Sequence, residues 1–119
     1  MEDKNKKVLQ EAAGQVASSD SLKQPLIVKL YDSYLFNGEE VKEIDLTGLY
    51  DMTAEDMFLV DEQMRRKGYS GSNPEITRLY ALFTAAKINH KAWEWCNTMR
   101  ARDAVRIKNV VSGFFYMPG

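Results

Sequence analysis

The sequence predicts an α+β domain, mainly helical, in which an N-terminal β-hairpin is followed by about four short helices. Two observations lead to this prediction. An Asn37-Gly38 pair stands between two β-rich runs, and apolar residues beyond Asp51 recur at helical spacing between residues that cap helices. A chain of 119 residues, 45% of them hydrophobic, is long enough for one domain with a core. We therefore expect a single helical domain with a hairpin over residues 25–119.

Residues 1–24 differ from the rest of the chain because they are polar and hold three clustered lysines, Lys4, Lys6 and Lys7, close to several serines. A short helix could form from residue 8 to residue 17, but Gly14 weakens it. We expect a mobile N-terminal arm.

The hairpin is predicted by its Asn-Gly turn, since a type I′ turn requires two residues with positive φ. A strict two-residue turn pairs Tyr34 with Val41, which is favourable, but it also pairs Asp32 with Glu43, which places like charges opposite each other. We therefore expect a bulge or a frayed ladder beyond the first few pairs.

The first helix has clear signals at both ends. Thr53 is a good N-cap, and the acidic residues that follow it suit the first turn of a helix. Val60 and Met64 belong to its apolar stripe. The basic run 65–67 and Gly68 predict the end of this helix.

The later helices are predicted from caps and spacing. Asn73 as N-cap and Pro74 at the first position start a second helix. Asn89 ends it and opens a short third helix that carries Trp93 and Trp95. The last helix begins near residue 102 and places apolar side chains on one face: Ile107, Val110, Val111 and Phe114.

Charge is distributed unevenly along the chain. Residues 1–64 contain 6 Lys or Arg and 14 Asp or Glu, a net charge of −8, whereas residues 65–119 contain 10 and 3, a net charge of +7. The asymmetry can mark a nucleic-acid face, can draw one end of the molecule to the opposite end of another copy, or can reflect chance and local solvation. For self-association, the candidates are Asp61, Glu62, Arg65, Arg66 and Lys67.

Four aromatic residues are candidates for binding a partner: Trp93, Trp95, Phe115 and Tyr116. On a helix, two residues that are two positions apart point to different sides, so one tryptophan can be in the core while the other contacts a partner. The aromatic run at the chain end poses the same alternative. Aromatic side chains dominate the binding energy of interfaces, but at least one of each set should pack in the core.

No motif for catalysis or for a cofactor is present in the sequence. Its paired carboxylates are adjacent, whereas glycosidase-type catalysis needs two that face each other across a cleft. A zinc site within one chain needs about four ligands, and this chain offers only His90 and Cys96 of the usual types. We therefore predict a protein that is not an enzyme and has no metal or cofactor.

The basic cluster near the last helix consists of Arg100, Arg102, Arg106 and Lys108, partly offset by Asp103. It could contact phosphates, or it could be a solvated helix face. The overall pI of about 5.8 argues against a dedicated nucleic-acid binder. No apolar run approaches the roughly 18 residues of a membrane span, and the single cysteine fits a reducing compartment, so we expect a cytoplasmic protein.

Several short motifs occur in a characteristic order over about residues 26–115. They are the hairpin with Asn37-Gly38, Glu43-x-Asp45-Leu46 with Leu49, Met52-Thr53-x-x-Asp56, Tyr80 through Ala85-Ala86-Lys87, and Asp103-x-x-x-Ile107-x-x-Val110-x-x-Phe114-Phe115. In this order they resemble the small phage tail assembly chaperones, which are encoded just ahead of the tape measure protein.

The resemblance implies a non-enzymatic protein that binds the tape measure protein and associates with itself. It also implies a protein of the host cytoplasm that is absent from the finished virion, and often a longer frameshifted product. The tail tube protein is a further candidate partner. Two other functions stay open at this point: a small DNA-binding regulatory protein that uses the basic cluster, and a minor structural tail or connector protein.

Overall fold

In the computed structural model, which describes residues 24–116, a two-stranded antiparallel sheet packs with three α-helices. The elements are β1 (Ile27–Phe36), β2 (Glu39–Asp45), α1 (Ala54–Arg66), α2 (Arg78–Ile88) and α3 (Ala101–Tyr116). Short 3₁₀ turns, Thr47–Asp51 and Pro74–Ile76, precede α1 and α2. The predicted α+β class is confirmed, with three α-helices in the described part instead of about four. The predicted arm lies outside the described residues, apart from Gln24.

The hairpin turn is the predicted one. Asn37 and Gly38 have φ values of 54° and 81°, and Phe36 pairs with Glu39 across the turn. Tyr34 pairs with Val41, as a strict two-residue turn requires. The Asn-Gly pair therefore sets the register of the first three pairs.

The predicted interruption of the ladder is also present. The register shifts between Lys29 and Tyr34, so that residues 30–33 of β1 lie opposite Lys42 alone. Beyond this bulge Glu43 pairs with Lys29. The bulge thus replaces the unfavourable pair of like charges with a pair of opposite charges.

Local signals fix both ends of α1. The Thr53 hydroxyl accepts a hydrogen bond from the Asp56 amide at 3.1 Å, and the Asp56 carboxylate accepts one from the Thr53 amide at 3.0 Å. This reciprocal capping box satisfies two amides that have no partner within the helix. The helix ends at Arg66, and Gly68 follows with a φ of +96°.

The predicted start of the second helix was four residues too early. The Pro74–Ile76 segment is a 3₁₀ turn, and the Asn73 side chain forms no capping bond. Thr77 caps α2 instead, because its hydroxyl accepts from the Tyr80 amide at 3.1 Å and donates to the Pro74 carbonyl at 2.7 Å. One hydroxyl therefore joins the 3₁₀ turn to the helix.

The predicted third helix with Trp93 and Trp95 was wrong. The segment forms successive turns, in which the Trp95 amide donates to the Ala92 carbonyl and the Met99 amide to the Cys96 carbonyl. Turns allow both tryptophans to pack against the core, whereas a helix would direct them to different sides.

The core is centred on α2, where every residue from 80 to 86 is buried. One side of α2 packs on α1 and another on α3. The inner face of the hairpin contributes Val28, Phe36, Val41 and Ile44 to the same cluster. The side chains on the outer faces of β1 and α1 are therefore the ones left for other contacts.

Candidate partner-binding surfaces

Large apolar side chains are exposed on two elements of the domain. On β1, Ile27, Tyr31 and Leu35 are exposed, and we call them, together with Arg102 and Arg106 of α3, the β1 surface. On α1, Phe58 and Leu59 are exposed, and we call this pair the α1 surface. Ile76, Val105 and Tyr116, which lie outside β1 and α1, are exposed as well.

The β1 surface follows from strand geometry. Odd-numbered residues from 27 to 35 are exposed, while the even-numbered residues are buried or partly buried. Alternate residues of a strand share a face, so Ile27, Tyr31 and Leu35 form a stripe of apolar residues along the outer face of β1, with the exposed Lys29 and Ser33 between them. Leu35, at the turn end, is 73% exposed.

A buried carboxylate beneath the bulge holds β1 against α3. Asp103 is fully buried, and its Oδ1 accepts from the Tyr31 amide at 2.8 Å. Its Oδ2 accepts from the Asp32 amide at 3.2 Å and from the Tyr34 hydroxyl at 2.6 Å. The carboxylate therefore accepts hydrogen bonds from the two β1 amides that the interrupted ladder leaves without strand partners.

These hydrogen bonds decide the protonation of Asp103. Burial alone would raise its pKa, but the bonds from the Tyr34 hydroxyl and from the two β1 amides outweigh burial and lower the pKa. Burial and the same hydrogen bond raise the pKa of Tyr34. Asp103 is thus ionised and faces inward, and the Arg102 guanidinium also lowers its pKa, so it offsets part of the basic cluster from a buried position.

Two arginines hold the ring of Tyr31 on the surface. The Arg102 and Arg106 guanidinium carbons lie 4.1 and 4.8 Å from the ring centroid. Arg106 also donates to the Lys29 carbonyl at 3.0 Å and to the Tyr31 hydroxyl at 3.2 Å. The ring stays 55% exposed, so it is an oriented aromatic group with one part open to solvent.

Charges of opposite sign flank the stripe. On the β2 side, Asp45 pairs with Ile27 and Glu40 pairs with Leu35, so both carboxylates share the outer face. On the α3 side lie the two arginines of the β1 surface. Between Ile27 and Arg106 the surface deepens into a cavity of about 360 Å³ that Asn109 and Val110 also line. The stripe thus runs between a β2 row that is acidic apart from Lys42, which lies 3.8 Å from the Glu40 carboxylate, and the two arginines of α3.

The α1 surface lies opposite the buried side of its helix. Val60 and Met64 are fully buried, and at about 100° per residue Phe58 points roughly 160° away from Val60. Phe58 is 65% exposed. The sequence could have identified it, since Phe58 and Leu59 are large apolar residues that fall outside the Val60–Met64 stripe.

Three of the four aromatic candidates pack against the core. Trp95 is only 9% exposed and meets the Phe36 ring edge-on at 5.8 Å. Trp93 and Phe115 are half-buried, against Phe83 at 5.7 Å and Tyr80 at 6.2 Å respectively. Tyr116 is 56% exposed, and its hydroxyl donates to the Glu75 carboxylate. A role in partner binding stays a prediction for all four.

The charged candidates lie along α1 and just beyond it. Asp61 is half-buried, and burial followed by the nearby Glu75 carboxylate raises its pKa. Glu62 and Arg66 form an ion pair at 3.1 Å along the helix, and Lys67 pairs with Glu94 at 3.5 Å. Such exposed pairs stabilise a fold by only about 0–1 kcal/mol each. The role of the five candidates, including Arg65, in self-association stays a prediction.

The two charge halves of the sequence also meet within one chain. Four ion pairs among the described residues join them: Asp32–Arg100 at 3.7 Å, Glu39–Lys91 at 3.2 Å, Asp56–Lys87 at 3.4 Å and Glu62–Arg66 at 3.1 Å. Some of the opposite charges of the two halves are therefore paired with each other inside the domain.

The chemistry available in the described part of the chain is limited. The Cys96 thiol is buried, and burial raises its pKa to about 12, so it is a neutral packed group at ordinary pH. Among residues 24–116, no three His, Cys, Asp or Glu side chains are grouped to hold a metal ion. Over the same residues, no helix has the length and apolarity needed to cross a bilayer.

Comparisons of the chain with protein-family models, with curated proteins and with solved structures gave no significant match.

Proposed function

We propose that the protein is a phage tail assembly chaperone, which binds the tape measure protein and keeps it soluble until the tail tube assembles around it. The order of short motifs along residues 26–115 supports this proposal. A tape measure protein is a long chain of helices with apolar stripes, and such stripes aggregate unless they are covered. Covering these stripes requires a binding surface and no catalysis.

The observation that carries the proposal is the β1 surface. From Ile27 to Leu35 its apolar stripe extends at most about 26 Å, which matches roughly five turns of a helix. Its flanking rows of opposite charge fit a helix that carries basic residues on one side of its apolar stripe and acidic residues on the other. The cavity beside Ile27 offers a pocket for one large apolar side chain of that helix.

The fixed ring of Tyr31 adds to this fit. A side chain that is already oriented loses little conformational freedom when a partner binds, so more of the contact energy contributes to affinity. The proposal includes self-association, action in the host cytoplasm and absence from the mature virion, with the tail tube protein as a second partner.

Co-expression tests the proposal. The long helical protein encoded directly downstream is produced with and without this protein, and its soluble fraction is measured. We expect it to stay soluble and to co-purify when this protein is present. Equal aggregation in both cases would reject the chaperone function.

Two control measurements separate the alternatives. Retention on DNA that weakens as salt rises would favour a DNA-binding regulator that uses Arg100, Arg102, Arg106 and Lys108. Detection of the protein in purified phage particles would favour a minor tail or connector protein.

A further inference from the structure

The outward side of α1 carries two adjacent rows of residues with the spacing by which helices pack on one another. One row is Ala54, Phe58, Asp61 and Arg65, and the other is Glu55, Leu59, Glu62 and Arg66. In each row the positions follow the pattern i, i+4, i+7 and i+11. The first row holds the exposed Phe58, the half-buried Asp61 and Arg65, and the second holds the exposed Leu59, two glutamates and Arg66.

The charges along these rows are ordered from end to end. Glu55 lies in the first turn, and Arg65 and Arg66 lie in the last turn. The helix dipole favours this order in an isolated helix. It gives no reason for a phenylalanine on the side opposite the core, where Phe58 exposes apolar area that burial would stabilise.

We propose that two copies of this protein pair through α1, with the two helices antiparallel about a twofold axis near residue 60. Glu55 and Arg65 are ten residues apart, about 15 Å along the axis. An antiparallel pair therefore brings Glu55 of each copy level with Arg65 and Arg66 of the other, and symmetry makes this contact twice. A parallel pair would place every one of these charges beside its own copy in the other helix, whereas the antiparallel pair does so only for Asp61 and Glu62 near the axis, where Glu62 is paired with Arg66.

The apolar residues lie at the centre of this arrangement. With the axis at residue 60, the two Phe58 side chains are about 6 Å apart along the helices, so their rings can touch, and Leu59 flanks them. The Glu62–Arg66 ion pair at 3.1 Å holds the Arg66 guanidinium on the same outward side. The exposed apolar residues and the order of Glu55, Arg65 and Arg66 along the helix thus favour the same pairing.

This pairing rests on the proposed function, because it gives a geometry to the self-association that the function includes. The pairing itself does not require the tape measure protein. In the fold, α1 packs on α2, whereas β1 packs on β2 and α3. The paired face and the β1 surface are therefore on different elements. Because only one helix of 13 residues contributes from each copy, we expect a weak dimer that forms at high concentration.

Sedimentation of the full chain over a range of concentrations and salt tests the pairing. Glu55→Arg alone, and Arg65→Glu with Arg66→Glu, should each weaken dimerisation at least about tenfold, because both leave like charges opposed. The triple variant that combines them should return to within about threefold of the wild type. A mixture of the two weakened variants should form dimers, since every cross-pair is then between opposite charges.

Controls separate the interface from general charge and folding effects. Phe58→Gln should weaken dimerisation about tenfold without changing charge. Lys42→Glu reverses an exposed charge on the hairpin and should leave dimerisation unchanged. All of these positions are exposed, so the substitutions should not affect folding. The melting midpoint of each variant, followed by circular dichroism, should lie within about 5 °C of the wild-type midpoint.

A wild-type monomer at every concentration would overturn the pairing, and so would failure of the triple variant or of the mixture to restore dimers. Rings or filaments in place of a closed dimer would also overturn it. Each of these results leaves the co-expression test of chaperone function unaffected, so the two proposals fail separately.

Discussion

The β1 surface and the α1 surface both present apolar side chains to solvent, but they are supported in different ways. The backbone under Tyr31 is held by Asp103 of α3, and its ring is held by Arg102 and Arg106. Phe58 stands on a helix whose ends are fixed by their own neighbours, Thr53 and Gly68. The first surface therefore depends on tertiary structure, and the second depends mainly on local sequence.

The dependence of the β1 surface on tertiary structure can be tested most directly at Asp103. Replacing Asp103 with Ala leaves the Tyr31 and Asp32 amides and the Tyr34 hydroxyl without their acceptor in a buried site. We expect the free energy of unfolding to fall by about 3–5 kcal/mol. Urea denaturation at constant m-value measures this loss. A loss below about 1 kcal/mol would mean that the carboxylate does not hold the two elements together.

The ionisation of Asp103 gives a second, pH-dependent test. Its pKa in the folded protein is lowered from the ordinary value of 3.8, so its contribution is present above that value and is lost as the pH falls through the lowered pKa. We expect wild-type stability to fall more steeply than that of Asp103→Asn over roughly pH 5 to pH 2. Parallel pH profiles for the two proteins would contradict this assignment of the charge.

The hairpin turn supports the Leu35 end of the β1 surface. Gly38 has a φ of +81°, and a Cβ added there would have no atom within 4 Å, so a substitution is disfavoured chiefly by the backbone conformation. Gly38→Val should lower the free energy of unfolding by about 1–2 kcal/mol. An unchanged thermal midpoint would contradict the positive φ at this position.

The smallest effect is expected at the start of α1. Thr53→Ala removes one half of the capping box and should cost about 1 kcal/mol. Because the cap is local, β1 should be unaffected, and the Tyr31 and Asp32 amides should keep their protection from hydrogen exchange. Loss of that protection would show that the two surfaces are not independently supported.

Much of the fold could be predicted where neighbouring residues carry the signal. The Asn37-Gly38 turn and the Thr53–Asp56 cap each depend on residues no more than three positions apart, and the structure has both. The bulge could be predicted because a strict register would place Asp32 opposite Glu43, and the structure has the bulge at this point. The start of α2 was misplaced because two start signals, Asn73-Pro74 and Thr77, lie four residues apart and compete.

The β1 surface could not be predicted in the same way. Its support joins Asp103 to residues 69 to 72 positions earlier, and nothing near Asp103 in the sequence marks it as buried. The aromatic candidates were chosen for residue type alone, and the turns around Trp95 place it in the core. The exposed residues Tyr31 and Leu35 were missed because exposure depends on which face of β1 the rest of the chain covers.

The most direct test of partner binding compares the two surfaces in one co-expression experiment. Ile27→Gln with Leu35→Gln alters the β1 surface, Phe58→Gln alters the α1 surface, and none of these changes alters charge. We expect the β1 variant to reduce co-purified tape measure protein at least about tenfold and the α1 variant to reduce it less than about threefold. Full co-purification by the β1 variant, or its loss in the α1 variant alone, would contradict the assignment of the partner helix to the β1 surface.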